Sequence, residues 1–374
     1  MESIYSRQLL ELCLRGEAYS SALLDRAIGE DEGRALVSIV VERLGDLFEP
    51  RLCRAYDQLF SEVIRRVAPE LAPRLRSGVS RAVAPETTGR VYVLSRITLG
   101  ADIAVTSVML DAAKKRYPEA QIVFVGPKKS YEMFAADARI THQEAPYARG
   151  GSLAERLRAS AALDLRDGIV IDPDSRLTQL GLLQICDHRD YFFFESRSYG
   201  GDGDDSLPLL AARWARETFG VEAKDYFSPV AVSQERFDIT VSLGVGENHA
   251  KRIEGSFEAD LLRLLSSTGA KILVDKGGSA EEHARVEAAL APGCSTHDGA
   301  FAPFAVQIAR SKLFIGYDSA GQHVASAAGV PLIAIFKGFA SERTLSRWRP
   351  NGIVVRGDSE DVLGDVRRAL RGFF

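Results

Sequence analysis

The period of the apolar positions changes near residue 88 of this 374-residue chain. Before that point it is helical. Ala35, Leu36, Ile39, Val40, Leu44 and Leu47 recur at the i, i+3, i+4 spacing of one helix face, as do Leu59, Val63, Ile64 and Val67. Leu9, Leu10, Leu12 and Leu14 open another apolar stretch, and Pro50, Pro69 and Pro73 punctuate the segments. Residues 1–88 therefore predict an all-helical region, and no catalytic constellation is visible in it.

After Pro85-Glu86-Thr87-Thr88-Gly89 the apolar runs become short and β-rich. A strand at 90–94 leads through a glycine turn into a helix from about 102 to 117. Pro118 ends that helix before a second strand at 122–125. Further strands are expected at 169–171 and 191–194, then a helix at 207–219. A second series starts near Phe237, with strands at 239–243, 271–274, 313–315 and 332–335 and helices at about 257–267, 280–290 and 304–309. Strands alternating with helices predict parallel sheets with crossover helices. The expectation is an α/β fold of two facing Rossmann-like domains, 89–228 and 229–374. A weakly periodic linker at 226–235 joins them, with a ligand cleft between.

Composition narrows the class without choosing a function. A hydrophobic share of 46% and a charged share of 26% are those of a globular chain, not of a disordered or fibrous one. The longest apolar runs, such as 330–336, fall far short of the ~20 residues of a membrane helix. The start, Met1-Glu2-Ser3-Ile4, has no basic stretch followed by an apolar core, so a cytoplasmic location is expected. Cys13, Cys53, Cys186 and Cys294 form no CxxC pair, which argues against both a zinc site and a disulfide framework. A net charge of -4 offers no footprint for nucleic acid. His142 and His188 lack a second ligand at metal-like spacing, and Asp172-x-Asp174 is the nearest approach to a metal-binding pair. No metal and no cofactor are expected.

The segment 314–331 carries the sharpest chemistry. A buried strand ends at Gly316, an alanine-rich helix starts at about Ser319, and Gly329 stops it. Asp318 stands where an N-cap belongs. First-turn amides and the helix dipole make a phosphate site, and small residues at Ser319, Ala320 and Gly321 would let a diphosphate approach the backbone. His323 could donate to a phosphate oxygen. The spacing alone fits an ordinary capped helix with a partly buried histidine equally well.

Asp318-Ser319-Ala320-Gly321-Gln322-His323 resembles the D-[ST]-G-x-x-H motif of glycosyltransferase family 9, the ADP-heptose:lipopolysaccharide heptosyltransferases, with Ala320 where glycine is usual. Residues 95–126 resemble that family's opening strand, G-D turn and first helix. Asp102 falls on its general base, Ala101 replaces the preceding glycine, and Gly100 is displaced by one. Residues 242–252 resemble the strand and loop that open its C-terminal domain, and Lys251 matches a phosphate-contacting lysine. The loop Gly277-Gly278-Ser279-Ala280-Glu281 resembles a segment near the nucleoside and adds Glu281 as a donor-side candidate. Trp348-Arg349-Pro350 is similar to a late family segment.

The resemblance spans about 90 to the C terminus and leaves out the helical region. It implies a GT-B fold and metal-independent, inverting transfer of a sugar, heptose in this family, from a nucleoside-diphosphate donor such as ADP-heptose. The acceptor would be a sugar, lipid-linked glycan, protein or small metabolite. A lipid-linked acceptor would place the protein at the inner face of the membrane. From the residues alone, Asp102 reads first as a helix N-cap and Lys251 as a solvated lysine beside a glycine turn. Another GT-B enzyme (a UDP-sugar transferase or an epimerase) and a non-catalytic sugar-nucleotide-binding scaffold stay open.

Overall fold

A computed structural model describes residues 3–373 except 77–82, 146, 148–149, 164, 232–234 and 247. Glu247 in the 242–252 stretch and residues 232–234 of the expected linker therefore lie outside the described residues, as do 1–2 and 77–82 of the helical region.

Two parallel sheets carry the molecule. The first is five-stranded, in the order β3-β2-β1-β4-β5, from β1 Arg90–Leu94, β2 Gln121–Gly126, β3 Ile140–Glu144, β4 Ile169–Asp172 and β5 Tyr191–Phe193. The second is six-stranded, β11-β10-β9-β6-β7-β8. Its strands are β6 Ile239–Ser242, β7 Ile272–Asp275, β8 Cys294–His297, β9 Leu313–Tyr317, β10 Leu332–Phe336 and β11 Ile353–Arg356. Both orders are doubly wound. The order of winding reverses between β1 and β4 and between β6 and β9, and ligands bind beyond the carboxyl ends of the strands at such points.

The central strands are near-continuous apolar runs because helices cover both faces. Every residue of β9 and β10 is buried. Three strands that the apolar pattern did not predict, β3, β8 and β11, are all sheet edges. β8 reads Cys-Ser-Thr-His with no fully buried position, so no apolar signal marks it. The helix Leu207–Phe219 has the bounds its sequence predicts, with proline in its first turn and Gly220 closing it at φ 70°.

The N-terminal residues are helical, as their period predicts: Ile4–Arg15, Ser21–Gly29, Glu42–Asp46 and Pro50–Val67 are α-helices. Their apolar faces do not form a separate globule. Leu24, Val40, Leu44, Phe60 and Ile64 share one buried cluster with Leu153, Leu157, Leu180 and Leu183 of the first α/β domain. Tyr56 also donates to the Gln179 carbonyl at 2.7 Å. The helical region is thereby fixed to the first domain.

Candidate active site

The loops beyond the carboxyl ends of both sheets face each other across a cleft of about 1080 Å³. Its lining comes from the loop after β1 (Arg96 to Ala101), from Asp174 and Arg176 after β4, and from the loops after β6, β7, β9 and β10. The helical region adds Glu42, Asp46 and Phe48. The opposed walls come close: an added Cβ at Gly100 would stand 3.1 Å from the His323 ring and 3.4 Å from Ala320 Cα. A side chain there would press on the opposite wall, which would have to give by a few tenths of an ångström.

On the donor side, β9 runs into the helix Ala320–Ala328, which Gly329 closes at φ 67°. Asp318 is not the N-cap expected of it. Ser319 is, and no side chain caps the helix. The Asp318 carboxylate instead accepts from Lys251 Nζ at 2.6 Å and from Gln322 Nε2 at 2.5 Å, and Lys251 also donates to the Asp318 carbonyl at 3.0 Å. Lys251 is carried by a short 3₁₀ turn, His249–Lys251, whose start is capped by Asn248. A cation is therefore held beside a helix start whose first-turn amides have no side-chain acceptor. That combination suits an anion. Lys251, Asp318, Ser319, Ala320 and His323 all line the cleft.

His323 is 5% exposed. Burial pulls its pKa down to about 4, with Lys251 acting in the same direction and Asp318 against it. At neutral pH the ring is uncharged, so it can offer a phosphate a hydrogen bond but no charge. At Gly321 a Cβ would lie 2.4 Å from the Phe314 ring, so the missing side chain lets the helix settle on β9 and opens no space in the cleft. Glu281 is also displaced from its expected role. It is exposed and pairs with Arg252 at 2.6 Å, outside the cleft lining. Its neighbour Glu282 turns inward, 6% exposed, and accepts from the Val245 and Gly278 amides at 3.2 and 2.9 Å.

Asp102 is the main correction on the acceptor side. It is fully buried and does not line the cleft. Its oxygens accept from Ser95 Oγ at 2.8 Å, from the Arg96 amide at 2.7 Å and from Thr106 Oγ1 at 2.8 Å. Burial raises its pKa against those hydrogen bonds. The helix takes π geometry over Asp102–Thr106, and the wider turn absorbs an extra residue. Ala101 then faces the cleft while Asp102 rotates inward to fasten the loop after β1. Within that loop Ile97 has φ 74°, a strained value for a β-branched residue that the Asp102 and Ser95 hydrogen bonds hold in place.

Asp172 and Asp174 are likewise engaged by protein. Asp172 accepts from Thr178 and Tyr191 hydroxyls at 2.5 and 2.6 Å and from the Ser175 amide at 2.7 Å. Asp174 forms a buried ion pair with Arg197 at 3.0 Å. Arg96, to which the sequence assigns no role, reaches the cleft and is anchored by the Pro173 carbonyl and Ser196 Oγ, both at 2.6 Å. Arg176 reaches the cleft from beyond β4 and faces Glu42 at 3.7 Å. Nothing in their spacing marked Glu42 or Asp46, because tertiary packing alone brings the helical region here.

Residues 228–365 match the model of glycosyltransferase family 9 (heptosyltransferase). No curated protein matches by sequence. In structure the chain is similar to E. coli heptosyltransferase WaaC with ADP, at 14% identity and TM-score 0.56 over 76% of this chain and 99% of that one. It is similar to E. coli ADP-heptose lps heptosyltransferase II, at 17% identity and TM-score 0.54 over the same shares. A glycosyl transferase family 9 protein from Veillonella parvula DSM 2008 aligns over 78% of this chain and 92% of that one, at 16% identity and TM-score 0.54.

Proposed function

We propose that this chain, a GT-B protein whose second α/β domain is a glycosyltransferase family 9 domain, transfers a heptose-like sugar from a nucleoside-diphosphate donor to an acceptor hydroxyl with inversion and without a metal ion. The observation that carries this is the pairing of Lys251 with the uncapped start of the helix Ala320–Ala328 on the cleft wall.

Breaking the bond between an anomeric carbon and a diphosphate develops positive charge on the sugar and negative charge on the leaving group. Lys251 offers the leaving diphosphate a point charge, and the amides of Ala320 and Gly321 offer fixed donors that need no reorganisation. Neutral His323 adds a hydrogen bond without a second charge. Val245, Gly277, Gly278 and Phe301 continue the lining and would receive the nucleoside, with Glu282 tying the first and third of these together. A WaaC structure holds ADP, and another holds ADP-2-deoxy-2-fluoro heptose, which supports ADP-heptose as the donor to try first.

The same geometry supports metal independence, since fixed cationic and amide donors can take the place of a divalent ion at the diphosphate. The test is ADP release from ADP-heptose in the presence of EDTA, set beside UDP release from UDP-glucose, with the product's anomeric configuration read by NMR. ADP release that survives the chelator, with an inverted anomer, is the expected result. Activity lost to EDTA and restored by magnesium, or faster turnover of UDP-glucose, would refute the corresponding part.

A further inference from the structure

The donor wall leaves the reaction without a base, because the carboxylate expected to serve, Asp102, is buried beneath the cleft. We propose that Asp46, supplied by the N-terminal helical region, is the general base that takes the proton of the acceptor hydroxyl. This rests on the glycosyl-transfer reading above.

Most carboxylates that line the cleft are already committed. Asp318 is held by Lys251 and Gln322, Asp174 by Arg197, and Glu282 by two loop amides. Asp275 is 7% exposed at the end of β7, and Glu42 faces Arg176 at 3.7 Å. Asp46 and Glu132 are left. Asp46 is exposed to the cleft, and among the described residues no group donates a hydrogen bond to its carboxylate. A base needs both properties, an open lone pair and contact with the space the substrate occupies.

The backbone around Asp46 is fixed against the donor domain. Its carbonyl accepts from Thr344 Oγ1 at 2.7 Å, and the Phe48 carbonyl accepts from Arg343 at 3.2 Å. The Phe48 ring meets Trp348 edge-on at 6.2 Å, and Trp348 in turn meets His323 at 5.7 Å. One side of the Asp46 turn is thus tied to the wall that holds the donor, while Tyr56 and Glu42 tie the same helical region to the first domain. The charges that act on Asp46 come from both walls: Arg176 and Arg96 from the first domain, Lys251 from the second, and Glu42 from its own helix. Enclosure raises its pKa, Glu42 adds to the rise, and the three cations oppose it. A carboxylate of raised pKa that lines the same cleft as Lys251 suits proton abstraction near neutral pH. Among the described residues, no hydrogen bond or ion pair joins Glu132 to the donor wall.

In the step itself, the acceptor O–H proton passes to an Asp46 carboxylate oxygen as the acceptor oxygen forms its bond to the anomeric carbon. The bond from that carbon to the diphosphate breaks, and its electron pair leaves on ADP, beside Lys251 and the helix amides. Attack from the face opposite the diphosphate gives inversion.

The test uses ADP-heptose with water as acceptor, so no natural acceptor need be known. Asp46→Asn keeps the side-chain size and the backbone contact to Thr344. Its ADP release is expected to fall by roughly 10²–10⁴, with the acidic limb of the wild-type pH profile lost. Its affinity for ADP, measured by calorimetry, stays within about threefold of wild type by the same argument, since the base does not hold the nucleotide. Wild-type turnover in Asp46→Asn, or an equal loss in Glu132→Gln with Asp46→Asn unaffected, overturns the proposal and leaves the donor site standing. A wild-type protein that binds ADP but releases none from ADP-heptose also removes the base. Failure of the wild-type protein to bind ADP refutes the glycosyl-transfer reading itself.

Discussion

Lys251→Ala separates a phosphate-binding lysine from an ordinary surface cation. In the structure Lys251 Nζ lies 2.6 Å from the Asp318 carboxylate and its side chain is 24% exposed, so water screens it only partly. A hydrogen bond to a charged group contributes about 1.5–3 kcal/mol, which corresponds to roughly 10–150-fold in a dissociation constant. The alanine variant also leaves the Asp318 carboxylate unneutralised beside the incoming diphosphate, which pushes the effect toward the upper end of that range. AMP lacks the second phosphate and should lose less than about threefold, because its one phosphate does not reach both the lysine and the helix amides. Isothermal titration calorimetry of ADP and AMP at one fixed ionic strength gives the comparison, since salt screens such contacts. A Lys251→Ala, Asp318→Asn double variant should recover part of the ADP affinity, because it removes the charge that the lysine was neutralising. If Lys251→Ala bound ADP like wild type, or lost AMP and ADP affinity equally, the diphosphate assignment would be wrong.

Packing and burial set three further outcomes. Gly321→Ala drives a Cβ to 2.4 Å from the Phe314 ring; overpacking of this kind costs about 1–3 kcal/mol, so thermal unfolding should move down by some degrees, and an unchanged midpoint would show a looser helix seat than described. Burial raises the Asp172 carboxyl to about 6 from 3.8, so its folded form binds the proton more tightly and stability is lost as pH rises between those values. Asp172→Asn should remove roughly 3 kcal/mol of that pH dependence, and chemical unfolding at pH 4 and pH 7 with an unaltered slope would contradict it. His323, with its pKa near 4, should give one imidazole signal, absent in His323→Ala, that does not titrate above pH 5 by NMR; a midpoint near 6.5 would mean that the ring meets water.

The sequence made the centre of each sheet legible and its margins obscure. β1, β2, β9 and β10 are buried on both faces, which forces unbroken apolar runs that any window finds. β3, β8 and β11 each pair on one side only and carry residues such as Thr141, His142 and Thr296, so the pattern passes over them. The grouping of the candidate donor-side residues was similarly readable because Asp318, Ser319 and His323 lie within one strand–helix turn, where spacing translates directly into geometry. Lys251 joined them through the family resemblance. Asp102 misled because one extra residue in a helix, absorbed as a π turn, rotates the preceding residues by about a quarter of a turn relative to the rest of the helix. Asp46 and Glu42 carried no signal at all, and Arg176 only as part of the post-strand loop 172–176, which reads first as a turn. They meet across positions 42 to 176 only because Leu44, Phe60 and Ile64 pack against Leu153, Leu157 and Leu180.

The location of the donor diphosphate decides the account, and a crystal structure of the full chain soaked with ADP measures it directly. The β-phosphate should lie within hydrogen-bond distance of Lys251 Nζ and of the amides at the start of the helix Ala320–Ala328, with the nucleoside along Val245, Gly278 and Phe301. ADP bound instead beyond the strands of the first sheet, beside Arg96 and Arg176, would contradict it.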